Sequence, residues 1–99
     1  MADGAPTLSI HIFTVEPADF ERLVKSATEA LGKASTLPGF VRINIFGNAS
    51  HTKLLLAGEW QSEHAWSRTL WDDLIEKDLT DLVEHSEDHE FELYSHIAP

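Results

Sequence analysis

The sequence predicts an α+β fold whose elements run β-α-β-β-α-β over 99 residues. Three observations carry that prediction. Four short stretches alternate with period two or are apolar throughout, two longer ones repeat apolar residues every third or fourth position, and turn residues separate them.

The first strand is Leu8-Ser9-Ile10-His11-Ile12-Phe13-Thr14-Val15. It puts Leu8, Ile10 and Ile12 on one face and Ser9, His11 and Phe13 on the other. Neither face is polar, which places this strand inside a sheet with both faces covered. Glu16-Pro17-Ala18-Asp19 opens a helix, with proline in the first turn and acids near its positive end. Phe20, Leu23, Val24, Ala27, Leu31 and Ala34 then form one apolar stripe. The helix is expected to stop near Ser35, because Leu37 precedes Pro38, and Pro38-Gly39 makes the turn.

Phe40 to Phe46 alternates strictly and forms a second strand, with Arg42 and Asn44 sharing a face. Residues 47–52 read as a hairpin loop, and Lys53 to Trp60 as a third strand. Ser62 is the expected N-cap of the second helical region, which runs through Trp66, Leu70, Leu74, Ile75, Leu79, Leu82 and Val83. A break near Leu70 would divide it into two helices. Glu90 to Ile97 alternates as a fourth strand. The order is that of a ferredoxin-like, four-stranded antiparallel sheet in a single domain over residues 8–97, with residues 1–7 as a flexible start.

Helices on one side leave the other sheet face apolar. A chain this short gains by burying that face against a second copy, closing a dimeric α+β barrel. A homodimer is therefore expected, with a monomer of solvated sheet face as the alternative. Seven Lys and Arg stand against seventeen Asp and Glu, a net charge of −10. Such a surface repels phosphate backbones and anionic headgroups, so neither nucleic acid nor membrane is an expected partner. With no cysteine, disulfides and thiolate chemistry are excluded. The opening residues carry no basic and apolar signal pattern, so a cytoplasmic location is expected.

Two stretches resemble the antibiotic biosynthesis monooxygenases. One is Leu37-Pro38-Gly39-Phe40, and the other is Gly58-Glu59-Trp60-Gln61-Ser62-Glu63-His64-Ala65-Trp66, which is similar to the family's strand-ending tryptophan and the polar, serine, acid run after it. The resemblance spans Leu8 to about Leu82 and implies the dimeric α+β barrel. For the anthrone-oxidising members it also implies a cofactor-free reaction, in which a deprotonated phenol or anthrone reduces dioxygen in a dry cleft. By this resemblance Trp60 stands where the family has a cleft tryptophan whose indole N–H can donate to a substrate oxygen. Trp66 stands where those enzymes often carry a tyrosine, and Leu56 where they have an asparagine. The haem-degrading members of the superfamily need a histidine and a tryptophan at positions that fall near Leu79 and Thr69, so haem degradation is not expected.

Each candidate residue has a structural alternative. Trp60 is a cleft residue or a large core residue at a sheet corner. Trp66 and Trp71, five apart, need not share a helix face; one of them is expected at the cleft or the dimer interface. His11, among apolar neighbours, is either tied down by structural hydrogen bonds or poised as a base or donor, and Phe13 lines the cleft on the same strand face. Tyr94 and His96 alternate on the last strand, next to the first in a ferredoxin-like sheet, so His11 and His96 are expected to approach. His85 and His89, four apart, suit a helical metal pair, but a solvated acidic helix end explains them equally well and no metal site is assigned. His51 and His64 read as surface residues.

The leading expectation is a cofactor-independent oxygenase for a flat hydrophobic phenol or anthrone. His11 and Trp60 would be catalytic, and Trp66, Leu56, Phe13, Tyr94 and His96 would bind substrate. A non-catalytic ligand-binding or stress-related barrel and a non-oxidative polyketide cyclase or isomerase are the alternatives.

Overall fold

The computed structural model describes residues 6–98. Strand β1 (Thr7–Thr14) leads through a 3-10 turn (Pro17–Asp19) into helix α1 (Phe20–Ala34). Strands β2 (Phe40–Gly47) and β3 (Lys53–Trp60) form a hairpin, followed by α2 (Glu63–Leu70), α3 (Asp73–Glu84) and β4 (Asp88–Ser95). The sheet order is β2-β3-β1-β4 with every neighbouring pair antiparallel, the ferredoxin-like topology. Strand β1 occupies the interior, as its two apolar faces require.

The helices cover one face only. Phe13, Leu54 and Leu56 from the sheet pack against Leu23, Ala27 and Leu82 from α1 and α3. A second cluster joins Trp60 to Ala30, Ala34 and Ile75. Leu8, Ile10 and Ile12 occupy the other face, where they pair with Glu59, Ala57 and Leu55. That face is uncovered in the chain itself, so β1 is not covered on both sides as its sequence suggested. On it, Arg42 Nε meets Glu59 Oε2 at 2.6 Å, beside a register shift between Phe40 and Arg42.

The second helical region is two helices. Ser62 caps α2 by accepting from the Ala65 amide at 3.1 Å, and Asp72 caps α3 through the Leu74 amide at 2.9 Å. Each cap satisfies a backbone donor that a new helix start exposes, so the chain can turn between Leu70 and Asp73. Helix α3 is held to α1 by Lys33 Nζ on Asp78 Oδ2 at 2.7 Å and by Arg22 and Ser26 on Asp81. The Ser26 hydroxyl first, then Arg22 and His85, holds the Asp81 carboxyl below its usual range.

Several strand boundaries differ from expectation by one or two residues. Residues 1–5 lie outside the described residues, and Thr7 already belongs to β1. Strand β4 starts at Asp88 and ends at Ser95, two residues earlier at each end than its alternation suggested. His85 and His89 are therefore not a helical pair. His85 is the α3 C-cap and its ring meets Asp81, whereas His89 sits on β4 beside β1.

Candidate active site

Between the helix-covered sheet face and the helices lies a cavity of about 50 Å³. Its space follows from small side chains at facing positions. Ala27, Ala30 and Ala34 on α1 face Ser9 and Gly58 on the sheet, while Leu56, Phe13, Ile43, Ile75 and Leu79 complete the apolar wall. Of its lining residues, His11 alone carries a titratable side chain.

Gly58 shapes one end. A Cβ there would stand 2.8 Å from Trp60 Nε1 and 2.9 Å from Ser9 Oγ. The bare backbone lets the Trp60 indole fold diagonally back over the strand, where it donates to Ser9 Oγ at 2.9 Å. Trp60 is 4% exposed and meets Phe40 edge-on at 5.7 Å. Its N–H is thus already committed within the protein, so the free donor suggested by resemblance is not what this chain presents. Gly39 has φ +86°, a left-handed backbone that favours glycine, and an added Cβ would collide with Ala65 at the start of α2. Its carbonyl accepts from the Gln61 amide at 2.8 Å. The Pro38-Gly39 turn and the entry to α2 are therefore fixed against each other, which aims Trp66 at the cavity.

At the other end three side chains connect. Trp66 Nε1 approaches His11 Nε2 at 3.4 Å, and His11 Nδ1 lies 3.1 Å from His89 Nε2. An indole N–H can only donate, so His11 Nε2 accepts and the neutral ring carries its proton on Nδ1. That proton is donated to His89 Nε2, which leaves the His89 proton on Nδ1. Aromatic rings clamp the pair. His89 stacks on Phe13 at 4.3 Å and His11 on Phe91 at 5.3 Å, with interplanar angles of 3° and 15°. Burial first, then the neighbouring His89, lowers the His11 pKa from 6.5 to about 4. The His89 pKa is also lowered by burial, partly offset by Asp88. Both imidazoles are accordingly neutral at pH 7, and the Trp66 contact, long for such a bond, must give way before the His11 Nε2 lone pair can meet a ligand.

Five residues singled out from sequence come together here: His11, Trp60, Trp66, Leu56 and Phe13 all line the cavity. Two do not. Tyr94 pairs with Leu8 on the uncovered face, where its hydroxyl donates to Glu92 Oε1 at 3.1 Å, and that bond with the adjacent carboxylate raises its pKa. His96 follows the end of β4, beyond the Thr7–Ser95 pair, whereas His11 pairs with Phe91. The length of the strand separates His96 from His11. Trp71 is 84% exposed and Trp66 alone of that pair reaches the cavity. His89 was missed as a site residue. Its signal was the alternation His89-Phe91-Leu93 against Glu90-Glu92-Tyr94, visible once the strand is started at Asp88.

The same fold recurs in solved structures. A structure described as an antibiotic biosynthesis monooxygenase superposes with a TM-score of 0.84 at 13% identity, covering 93% of this chain and 99% of that one. SnoaB, a cofactor-independent oxygenase from Streptomyces nogalater, superposes at 0.76 with 21% identity over 96% of each chain. A Bacteroides thetaiotaomicron protein of unknown function, described as a possible oxidoreductase, superposes at 0.86 with 11% identity, covering 94% of this chain and 99% of that one. No family model and no curated protein matches the sequence. The chain therefore has the α+β fold of the antibiotic biosynthesis monooxygenases. At these identities the likeness is one of fold.

Proposed function

We propose that the cavity binds a flat, hydrophobic, acidic aromatic of the phenol or anthrone class, and that the chain oxidises it with dioxygen without a resident metal or flavin. The observation that carries this reading is His11, an uncharged imidazole in the wall of a mainly apolar cavity, whose Nε2 is met only by a long contact of 3.4 Å from the Trp66 indole that a ligand would displace. A substrate C–H or O–H proton passes to His11 Nε2. The imidazolium then lies against the new carbanion or phenolate, and that charge pairing offsets the burial that keeps the empty site neutral. The electron-rich anion reduces dioxygen and combines with it to a peroxide. Loss of water from an anthrone peroxide leaves the ketone, so one CH₂ and one O₂ become one C=O and one H₂O. Trp66 orients the substrate oxygen or the ring, while Leu56 and Phe13 exclude water. Two of the structures sharing the fold are described as a monooxygenase and a cofactor-independent oxygenase, which supports the same chemistry.

The cavity of about 50 Å³ is smaller than the roughly 150 Å³ that holds a benzene ring. Substrate binding therefore requires the cavity wall to widen, and the break between α2 and α3 at Trp71 and Asp72 is where we expect it to give. A second copy on the uncovered face, where Phe46 and Val41 are 54% and 46% exposed, would make the working unit a homodimer. Sedimentation of the purified chain tests that element.

Oxygen uptake with anthrones, naphthols and hydroquinones, without added metal or flavin, tests the reaction. Uptake falling at least about a hundredfold in His11→Ala is expected. Uptake unchanged in that variant would overturn the assignment of His11. Quenching of tryptophan fluorescence without uptake would indicate a binding module, a reading favoured by the committed Trp60 N–H. Equal turnover under anaerobic conditions would indicate a cyclase or isomerase.

A further inference from the structure

We propose that His89 is the outlet for protons taken up at His11, the two rings forming a path from the cavity to the outer strand of the sheet. The proposal rests on the reading of His11 as the cavity base. A proton arriving at His11 Nε2 lets the same ring release its Nδ1 proton across 3.1 Å to His89 Nε2. His11 ends neutral with its proton on Nε2, and His89 ends as the imidazolium with protons on both nitrogens. No atom is displaced and no electron is transferred, so the step balances as two proton hops.

The geometry suits the step. The two rings are 14° from parallel with centroids 5.3 Å apart, and Phe13 and Phe91 hold them by stacking. The direction follows from burial. His11 lies inside the apolar cavity wall, while His89 is less enclosed and feels the carboxylate of Asp88 on its own strand. Across from it, β1 presents His11 and Phe13. A positive charge is thus less costly on His89 than on His11. Sharing the proton between the two rings spreads the positive charge beside the anion while dioxygen reacts, and the return hop supplies the proton with which hydroxide leaves as water.

The arrangement has a second consequence. When His89 is protonated from solvent, its Nε2 becomes a donor and His11 must accept at Nδ1. His11 then carries its proton on Nε2, the Trp66 N–H turns away from it, and the ring presents a donor, not a lone pair, to the cavity. Acidification therefore disables the base through a change of tautomer, before His11 itself gains charge.

Long-range proton–nitrogen correlation spectra of protein labelled with nitrogen-15 in histidine read this directly, without substrate. The expected result is Nδ1–H on both rings at neutral pH, with His11 converting to Nε2–H while still neutral as His89 titrates. His89→Gln, whose amide oxygen still accepts but takes up no proton, is expected to hold His11 as Nδ1–H throughout. His89→Phe, which keeps the stack on Phe13, is expected to abolish the coupled conversion. A His11 tautomer that ignores the His89 titration, or a conversion that persists in His89→Phe, would overturn the path. With a turned-over substrate, His89→Ala is expected to lower kcat about tenfold with KM little changed, and added imidazole to restore it. An unchanged kcat would overturn the role of the path in turnover. Failure of the oxygenase reading appears separately, as no oxygen uptake by the unaltered protein.

Discussion

The indole N–H of Trp60 donates to the Ser9 hydroxyl at 2.9 Å, across the β3–β1 pair. Ser9 Oγ in turn lies 3.5 Å from the Gly58 carbonyl, at the position directly opposite it in the register. The bond makes Trp60 a fixed end wall of the cavity.

Ser9→Ala removes the acceptor and strands a buried indole N–H. A loss of about 1–3 kcal/mol in unfolding free energy is expected, measured by urea denaturation. In a Trp60→Phe background the same change should cost much less, because no donor is then left unmatched. Equal costs in both backgrounds would show that the bond contributes nothing.

Gly58→Ala places a methyl group 2.8 Å from Trp60 Nε1 and 2.9 Å from Ser9 Oγ. The indole must swing away, at a cost of about 1–3 kcal/mol from overpacking. A red shift of the tryptophan emission and a lower Tm are expected together. An unchanged emission maximum would mean that the strand yields instead.

Acid should destabilise the protein between the two pKa values of His11. Folding lowers that pKa from 6.5 to about 4, so between these values the unfolded chain binds more protons than the folded one. Stability is full above pH 6.5 and falls as the pH drops toward 4, by up to about 3 kcal/mol. The lowered pKa of His89 acts in the same direction. Denaturation midpoints across this range should flatten in His11→Phe, and an acid limb of unchanged slope would assign it to the carboxylates.

Lys33 and Asp78 join α1 to α3 beside the cavity at 2.7 Å, with side chains 41% and 8% exposed. Lys33→Met leaves the buried carboxylate without its partner, at an expected cost of about 1–3 kcal/mol because the lysine side is partly solvated. Adding Asp78→Leu should recover most of it. Faster amide exchange in α3 of Lys33→Met would show that the pair also restrains opening of the cavity.

Much of this arrangement is legible in the residues, and the rest needs the third dimension. Alternation located β2, a run apolar on both faces located β3, and the lack of a polar face on β1 placed it inside the sheet. The stripe on α1 was readable as a buried face. That its members Ala27 and Ala34, with Ala30 beside them, are too small to fill the space beneath them was not, since a void depends on what stands opposite. The Trp60–Ser9 bond depends on register, which periodicity leaves open. His89 was obscured by local spacing. Four residues after His85 and set among acids, it matched a helix end, and only the short turn after α3 shows that the strand has already begun.

The alternation along β4 has a consequence for how the chain finds this structure. Sliding β4 by one residue against β1 would turn Glu90 and Glu92 toward the helices and carry His89 and Phe91 away from them. Two carboxylates would then replace the half-buried His89 and the Phe91 ring beside the cavity rim, at a cost moderated by the exposure of this edge strand. The acidic residues of this strand thus act as a proofreading device for its alignment. The coupling of the two imidazoles is inherited from charges that never touch them.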